Sequence, residues 1–387
     1  MTLGKSTRAG VVGLAAAAMA ATAFVAPARA ASDTPPTGDG HRATQRAMDA
    51  AVRAGVPGVT AQARDGDGVW KSASGVGDLT SGAPRGKDDK FRVGSITKTF
   101  VATVLLQMEA EGRLGLDDTV EHWLPGLVRG NGNDGGAITV RELLNHTSGL
   151  FDYLADEEYF KTYMRGDGYL EHRYDTLPPE KQVKVALSHA PLFEPGAKFS
   201  YSNTNYVLAG LILEKAGGRP YEDEVRDRII RPLGLKNTSN PGTGIHLPRP
   251  SGRGYSKLFR PESDRIDDVT EMNGSQGWAD GDIISTAGDL NRFYGALLGG
   301  RLLPPKQLKV MRTVPASSSK PYGLGLQRFA TSCGAEVWGH GGGMVGWLSM
   351  AVTSADGRHQ LAFNFNGDWE ATSMSKMVEA EFCPASR

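Results

Sequence analysis

Cysteine is scarce in this 387-residue chain, with only Cys333 and Cys383 present. One bridge is therefore the most that can staple the fold, and neither cysteine has a nucleophile motif around it. No G-x-S-x-G elbow occurs, which excludes the lipase type of serine enzyme. The eight histidines are dispersed without H-E-x-x-H spacing, which argues against a metal hydrolase. No strand-like run precedes the stretch Gly130-Asn131-Gly132-Asn133-Asp134-Gly135-Gly136 and no G-K-[ST] follows it, so it reads as a loop and not a phosphate cradle. Internal repeats are absent. Charge of one sign is not in excess either: 43 basic residues balance 43 acidic ones, which excludes a generally basic nucleic-acid binder.

Only one long apolar run exists, Val11 to Val25. Lys5 and Arg8 precede it and Ala28-Arg29-Ala30 follows, the pattern of an export signal with a small-x-small cleavage site. The run is short for a membrane span. Cleavage at Ala31 would leave 40 basic residues against 43 acidic, a net charge of −3. The expected product is secreted, without a transmembrane anchor. Residues 31–40 read as a flexible leader. In an oxidising compartment the two cysteines are expected to pair, closing a loop of about 50 residues and adding about 2–4 kcal/mol.

Periodicity places helices at Thr44–Ala54, Val140–Asn145, Asn205–Ala216, Tyr221–Ile230 and Ala371–Phe382. Strands are expected at Val59–Arg64 and Val69–Ser74 around the Asp65-Gly66-Asp67-Gly68 turn, and again at Val337–Trp338, Trp347–Thr353 and Gln360–Asn364. Strands thus occupy both ends and helices the middle. The implied architecture is α+β: an antiparallel sheet from the two ends of the chain, with a helical insertion.

What is present centres on Phe91-Arg92-Val93-Gly94-Ser95-Ile96-Thr97-Lys98. Val101, Val104, Leu105 and Met108 then recur at one helical face. Ser95 falls at the start of that helix and Lys98 one turn along, so hydroxyl and amine share a face at the positive end of the dipole. Serine needs a base to become a nucleophile, and Lys98 is the candidate. Elsewhere, Tyr201 and Asn203 stand two apart on a short turn before a helix; a phenol can relay a proton and a carboxamide can hold an amide. In Trp338-Gly339-His340-Gly341-Gly342-Gly343, glycines would let a ligand backbone approach. The N–H groups of Gly343 and Ser95 could then form an oxyanion hole beside His340.

S-x-x-K, Y-x-N and H-x-G in this order resemble the penicillin-binding proteins and class C β-lactamase relatives. Ile138-Thr139-Val140-Arg141-Glu142-Leu143-Leu144, Asn145-His146-Thr147-Ser148-Gly149-Leu150, Glu194-Pro195-Gly196, Pro232-Leu233-Gly234-Leu235 and Ile284-Ser285-Thr286 add to the likeness. The two cysteines sit where exported actinomycete D-alanyl-D-alanine carboxypeptidases carry a disulfide. The resemblance implies one domain over 41–387, with an α/β lobe from about 41–116 and 256–387, a mainly helical lobe at about 117–255, and a site between them. It implies Ser95 as acylated nucleophile, Lys98 and Tyr201 as proton-relay pair, and His340 as an aid to leaving-group protonation. Asn203, Gly341, Gly342 and Gly343 would hold substrate, and Ser95 and Gly343 would form the oxyanion hole. No cofactor or metal is implied. Substrates would be a small peptide, β-lactam or ester, most simply a D-alanyl-D-alanine-type peptide. A β-lactamase, D-aminopeptidase or esterase, or a penicillin-binding sensor without turnover, are the alternatives.

The chain departs from that pattern in two places. Gly341 stands where a hydroxyl residue is usual, and Gln327 where a cation is expected, with Arg328 next to it on the opposite face of a strand. Asp280 and Asp282 add acids to a segment that skirts the site. Either they cap a loop facing water, or they shift preference away from substrates with a free carboxylate.

Overall fold

Residues 41–260 and 263–383 are described by the computed structural model. The export signal and the leader lie outside the described residues. A six-stranded antiparallel sheet is built from β1 (Gly58–Asp65), β2 (Gly68–Gly75), β3 (Gln327–Ala330), β4 (Glu336–Met344), β5 (Trp347–Ser354) and β6 (Gln360–Phe365). Their order is β2-β1-β6-β5-β4-β3. The central join pairs the two ends of the chain, with Ala61 opposite Phe363 and Ala63 opposite Leu361.

Alternation decides which side chains face where. Val59, Ala61, Ala63, Leu361, Phe363 and Phe365 are buried on the outer face, under α1 (Arg42–Arg53) and the C-terminal helix Thr372–Phe382. The intervening Gln62 turns inward, where its backbone carbonyl accepts from Asn291 Nδ2 at 2.8 Å. Asn291 lies on the helix Ala287–Leu298, one of three α-helices between 256 and 370 that the sequence reading had not named. Its glycines explain the omission. They lower helix propensity, yet a Cβ on Gly288 would lie 2.8 Å from Gln62 Oε1 and one on Gly295 would lie 2.2 Å from Gln360 Nε2. Close packing on the sheet outweighs propensity there.

Between sheet and helical region runs α2 (Thr97–Ala110), which follows a 3₁₀ turn at Gly94–Ile96. The sequence suggested one buried face, but α2 is buried on nearly all sides from Thr97 to Leu106. It packs against the helix Thr204–Gly217 and the short helix Trp278–Gly281, so even its polar residues find partners inside. Thr99 Oγ1, for example, donates to Gly325 O at 2.7 Å. The Gly130–Gly136 stretch forms a tiny hairpin, Arg129–Gly130 with Asn133–Asp134. No helix among the described residues is long and apolar enough to cross a membrane.

Cys333 and Cys383 are bridged, with Cα atoms 5.7 Å apart and a separation of 50 residues. The bond ties the end of the last helix to the loop between β3 and β4. Near it in sequence, buried Glu381 accepts from Thr44 at 2.6 Å and lies 2.8 Å from His359 Nε2, joining α1 to the helix Thr372–Phe382. Replacing both cysteines by serine is expected to cost about 2–4 kcal/mol in denaturant titration, with kcat unchanged because the bridge is remote from α2.

Candidate active site

Backbone contact comes first. Val93, Gly94 and Ser95 pass directly against β4. Gly94 has φ +56°, and a Cβ there would lie 2.5 Å from Gly343 O and 2.8 Å from Gly343 N. A Cβ on Gly342 would lie 1.9 Å from Val93 O and 3.1 Å from Ser95 N. Only glycine allows this approach. It brings the backbone nitrogens of Ser95 and Gly343 together at the start of α2. Gly341 differs, since its missing side chain would point at Met350 Cε, 3.3 Å away on the outer side of the sheet. A hydroxyl at 341 would meet apolar packing, so its absence removes nothing from the crevice.

Lys98 is fully buried, and its Nζ lies 3.0 Å from Ser95 Oγ, 2.8 Å from Asn203 Oδ1 and 2.7 Å from Asp280 O. Three acceptors match three N–H bonds. Burial nevertheless pulls its pKa down to about 8, because a charged amine is poorly solvated there. About a tenth of the molecules then carry a neutral Lys98 at pH 7.

Tyr201 packs below this amine, with Lys98 Nζ 5.2 Å from its ring centre. Its buried hydroxyl makes no well-formed hydrogen bond. Burial pushes the phenol well above its ordinary pKa, and the nearby Ser95 hydroxyl opposes that only in part. The group is a neutral phenol with a proton to give.

Asn203 is engaged at both ends. Its Oδ1 takes Lys98, and its Nδ2 donates to Asp152 Oδ2 at 3.0 Å. Asp152 is half-buried, and desolvation of its carboxyl pushes it up to about 6. Asp280, pushed up to about 7 by burial, accepts from Tyr153 Oη at 2.7 Å. The two acids singled out in the sequence therefore do not face water: Asp280 is 4 % exposed and Asp282 2 %. Nor do they act alike. Asp280 adjoins Lys98, whereas Asp282 accepts from Asn240 Nδ2 at 3.0 Å.

His340 stands on β4 with both ring nitrogens in use. Nδ1 contacts Gly341 O, and Nε2 lies 2.8 Å from Tyr322 Oη. Its ring centre is 6.4 Å from that of Tyr201. Burial pulls its pKa down to about 3, aided by the charge on Lys98, so the imidazole is neutral. Arg328, the cation beside Gln327, is exposed and turned to Glu336 at 3.3 Å.

The beta-lactamase family model matches residues 41–380. The chain belongs to the beta-lactamase family. Among solved structures, this beta-lactamase relative is similar to a D-stereospecific amidohydrolase from Streptomyces sp., at 54% identity and a TM-score of 0.83. That match covers 89% of this chain and 98% of the other. D-amino acid amidase from Ochrobactrum anthropi, solved with L-phenylalanine amide, is 30% identical over 89% of this chain and 98% of the other, with a TM-score of 0.76. Penicillin-binding protein 4* of Bacillus subtilis is 28% identical over 84% of this chain and 71% of its own length. A D-aminopeptidase of Brucella anthropi is 28% identical over 81% of this chain. The match spans only 57% of that relative's length.

The structure brings Ser95, Lys98, Tyr201, Asn203 and Gly343 of this beta-lactamase-family protein into one neighbourhood. Sequence reasoning did not name Asp152, Tyr153 or Tyr322, and it quoted His146 within the resemblance without giving it a role. His146 lies within the stretch Asn145 to Leu150 and Asp152 just beyond it, but nothing there signals a desolvated carboxylate. His146 has φ +60°, and its ring centre lies 4.1 Å from that of Tyr201 with the planes tilted by 32°.

Proposed function

We propose that this hydrolase of the beta-lactamase fold forms an acyl-enzyme on Ser95 and acts on D-amino-acyl amides and esters. The 3.0 Å approach of a desolvated Lys98 amine to Ser95 Oγ carries the reading. Neutral Lys98 takes the Ser95 proton as Oγ attacks the carbonyl carbon. The N–H groups of Ser95 and Gly343 receive the oxyanion. Tyr201 gives its proton to the departing nitrogen or oxygen and regains one from Lys98. Water then attacks the acyl carbon; its proton passes to the same pair, and the Ser95–acyl bond breaks as Oγ is reprotonated. His340, with both nitrogens occupied, stands outside this relay. Asn203 holds Lys98 in place and touches substrate only if its bond to Asp152 is exchanged.

Substrate class follows from charge. Half-buried Asp152 and buried Asp280 lie around Lys98, and Arg328 is turned away to Glu336. The cation expected on this strand is thus not placed to receive a substrate carboxylate, whereas an amide or an ester needs none. Similarity to the Streptomyces amidohydrolase supports the same reading. A D-Ala-D-Ala peptide and its C-terminal amide are compared by kcat/KM, alongside D-phenylalanine amide and its methyl ester. The amide-capped peptide is expected to exceed the free acid by about tenfold or more. A preference for the free acid would return the assignment to a carboxypeptidase. Labelling by penicillin without turnover of any of these would indicate a sensor.

A further inference from the structure

Gly341 offers His340 a carbonyl oxygen, which can only accept. Nδ1 therefore carries the imidazole's hydrogen, and Nε2 presents a lone pair. The phenol 2.8 Å from Nε2 must donate to it, and that phenol belongs to Tyr322. Tyr322 is 2 % exposed and stands edge-on to the imidazole, with ring centres 5.5 Å apart and planes at 88°.

Its position is set by the backbone that follows. A Cβ on Gly323 would lie 2.1 Å from Met311 O, and one on Gly325 would lie 2.9 Å from Lys98 O. Thr99, next to Lys98, donates to Gly325 O at 2.7 Å. The segment bearing Tyr322 is thus clamped to the same turn of α2 that bears the candidate base.

We propose that Tyr322 is a positioning residue: it holds His340 as the neutral Nδ1–H tautomer and so keeps a second cation away from Lys98. The titratable groups around the imidazole are Tyr322 before β3, Lys98 on α2, Tyr201 and His146. Lys98 opposes protonation of His340, and a proton on His340 would in turn weaken the hold of Lys98 on its own. Without the Tyr322 hydroxyl, the Nε2 lone pair is buried and unpaired, which favours its protonation or a turn of the ring. The importance of this for rate rests on the Ser95–Lys98 reading; the tautomer itself does not.

The test is ¹⁵N NMR of the full chain labelled at histidine, with the His340 signals assigned by their loss in His340→Gln. Wild type is expected to show a protonated Nδ1 and a bare Nε2, unchanged from pH 5 to 8. In Tyr322→Phe the His340 signals are expected to titrate or to mix tautomers in that range. Activity of Tyr322→Phe at pH 5.5 relative to pH 8 is expected to fall about threefold further than in wild type. An Nε2–H tautomer in wild type would overturn the proposal, as would His340 signals in Tyr322→Phe matching those of wild type. If Tyr322→Phe does not fold, the wild-type spectrum still decides. A correct tautomer in a protein whose Ser95→Ala variant keeps full turnover would leave this assignment standing and sink the catalytic one.

Discussion

Lys98→Met lowers kcat/KM by about a thousandfold or more, the size expected when a positioned base is lost. The methyl group cannot take the Ser95 proton, nor return one to Tyr201. In the wild type, kcat/KM should rise with pH through about 8, where Lys98 sheds its proton. No alkaline fall from Tyr201 should follow in the same range, because burial holds its proton well above the ordinary phenol value. Stability carries the same sign. Between about 8 and 10.5 the unfolded chain keeps a proton on this lysine that the folded chain has lost. Unfolding free energy therefore rises with pH across that window. Lys98→Met removes both dependences and, by removing a buried charge, leaves the melting temperature unchanged or higher. Steady-state rates and thermal melts from pH 6 to 10 check all three.

A second large effect needs no ionisable group. Gly342→Ala forces a methyl to within 1.9 Å of Val93 O, and the backbone beside Ser95 must shift. A displacement of that order at the reacting atoms costs about a hundredfold in rate. The overpacking itself costs about 1–3 kcal/mol. Gly341→Ala, one residue away, meets only a flexible methionine tip at 3.3 Å and should stay close to wild type in rate. Equal losses for the two variants would contradict the account of why glycines line this strand.

These contrasts show what the sequence could convey. Spacing alone placed Ser95 beside Lys98, because helical winding dictates which residues share a face; Ser95 lies in the 3₁₀ turn that leads into α2 and Lys98 in the first turn of α2. Period-two alternation located β1, β5 and β6 to within a residue or so. Long-range chemistry was not legible in the same way. Asp152 and Tyr322 matter through partners 51 and 18 residues away, Asn203 and His340, and no local pattern encodes such meetings. The surroundings of His340 were illegible for the same reason. The resemblance implies an aid to leaving-group protonation at His340, and nothing local announces that the Gly341 carbonyl and the Tyr322 phenol contact its two ring nitrogens. Asp280 looked like a loop acid until its burial against Tyr153 and Lys98 was apparent.

The central claim is that substrate carbon becomes bonded to Ser95. Intact-protein mass spectrometry, with acid quenching during turnover of a D-phenylalanine ester, tests it directly. The expected result is a transient mass increase of one acyl group, mapped by digestion to the peptide containing Ser95 and absent in Ser95→Ala, which also shows no turnover. Full turnover by Ser95→Ala, or an adduct mapped to any other side chain, would contradict it.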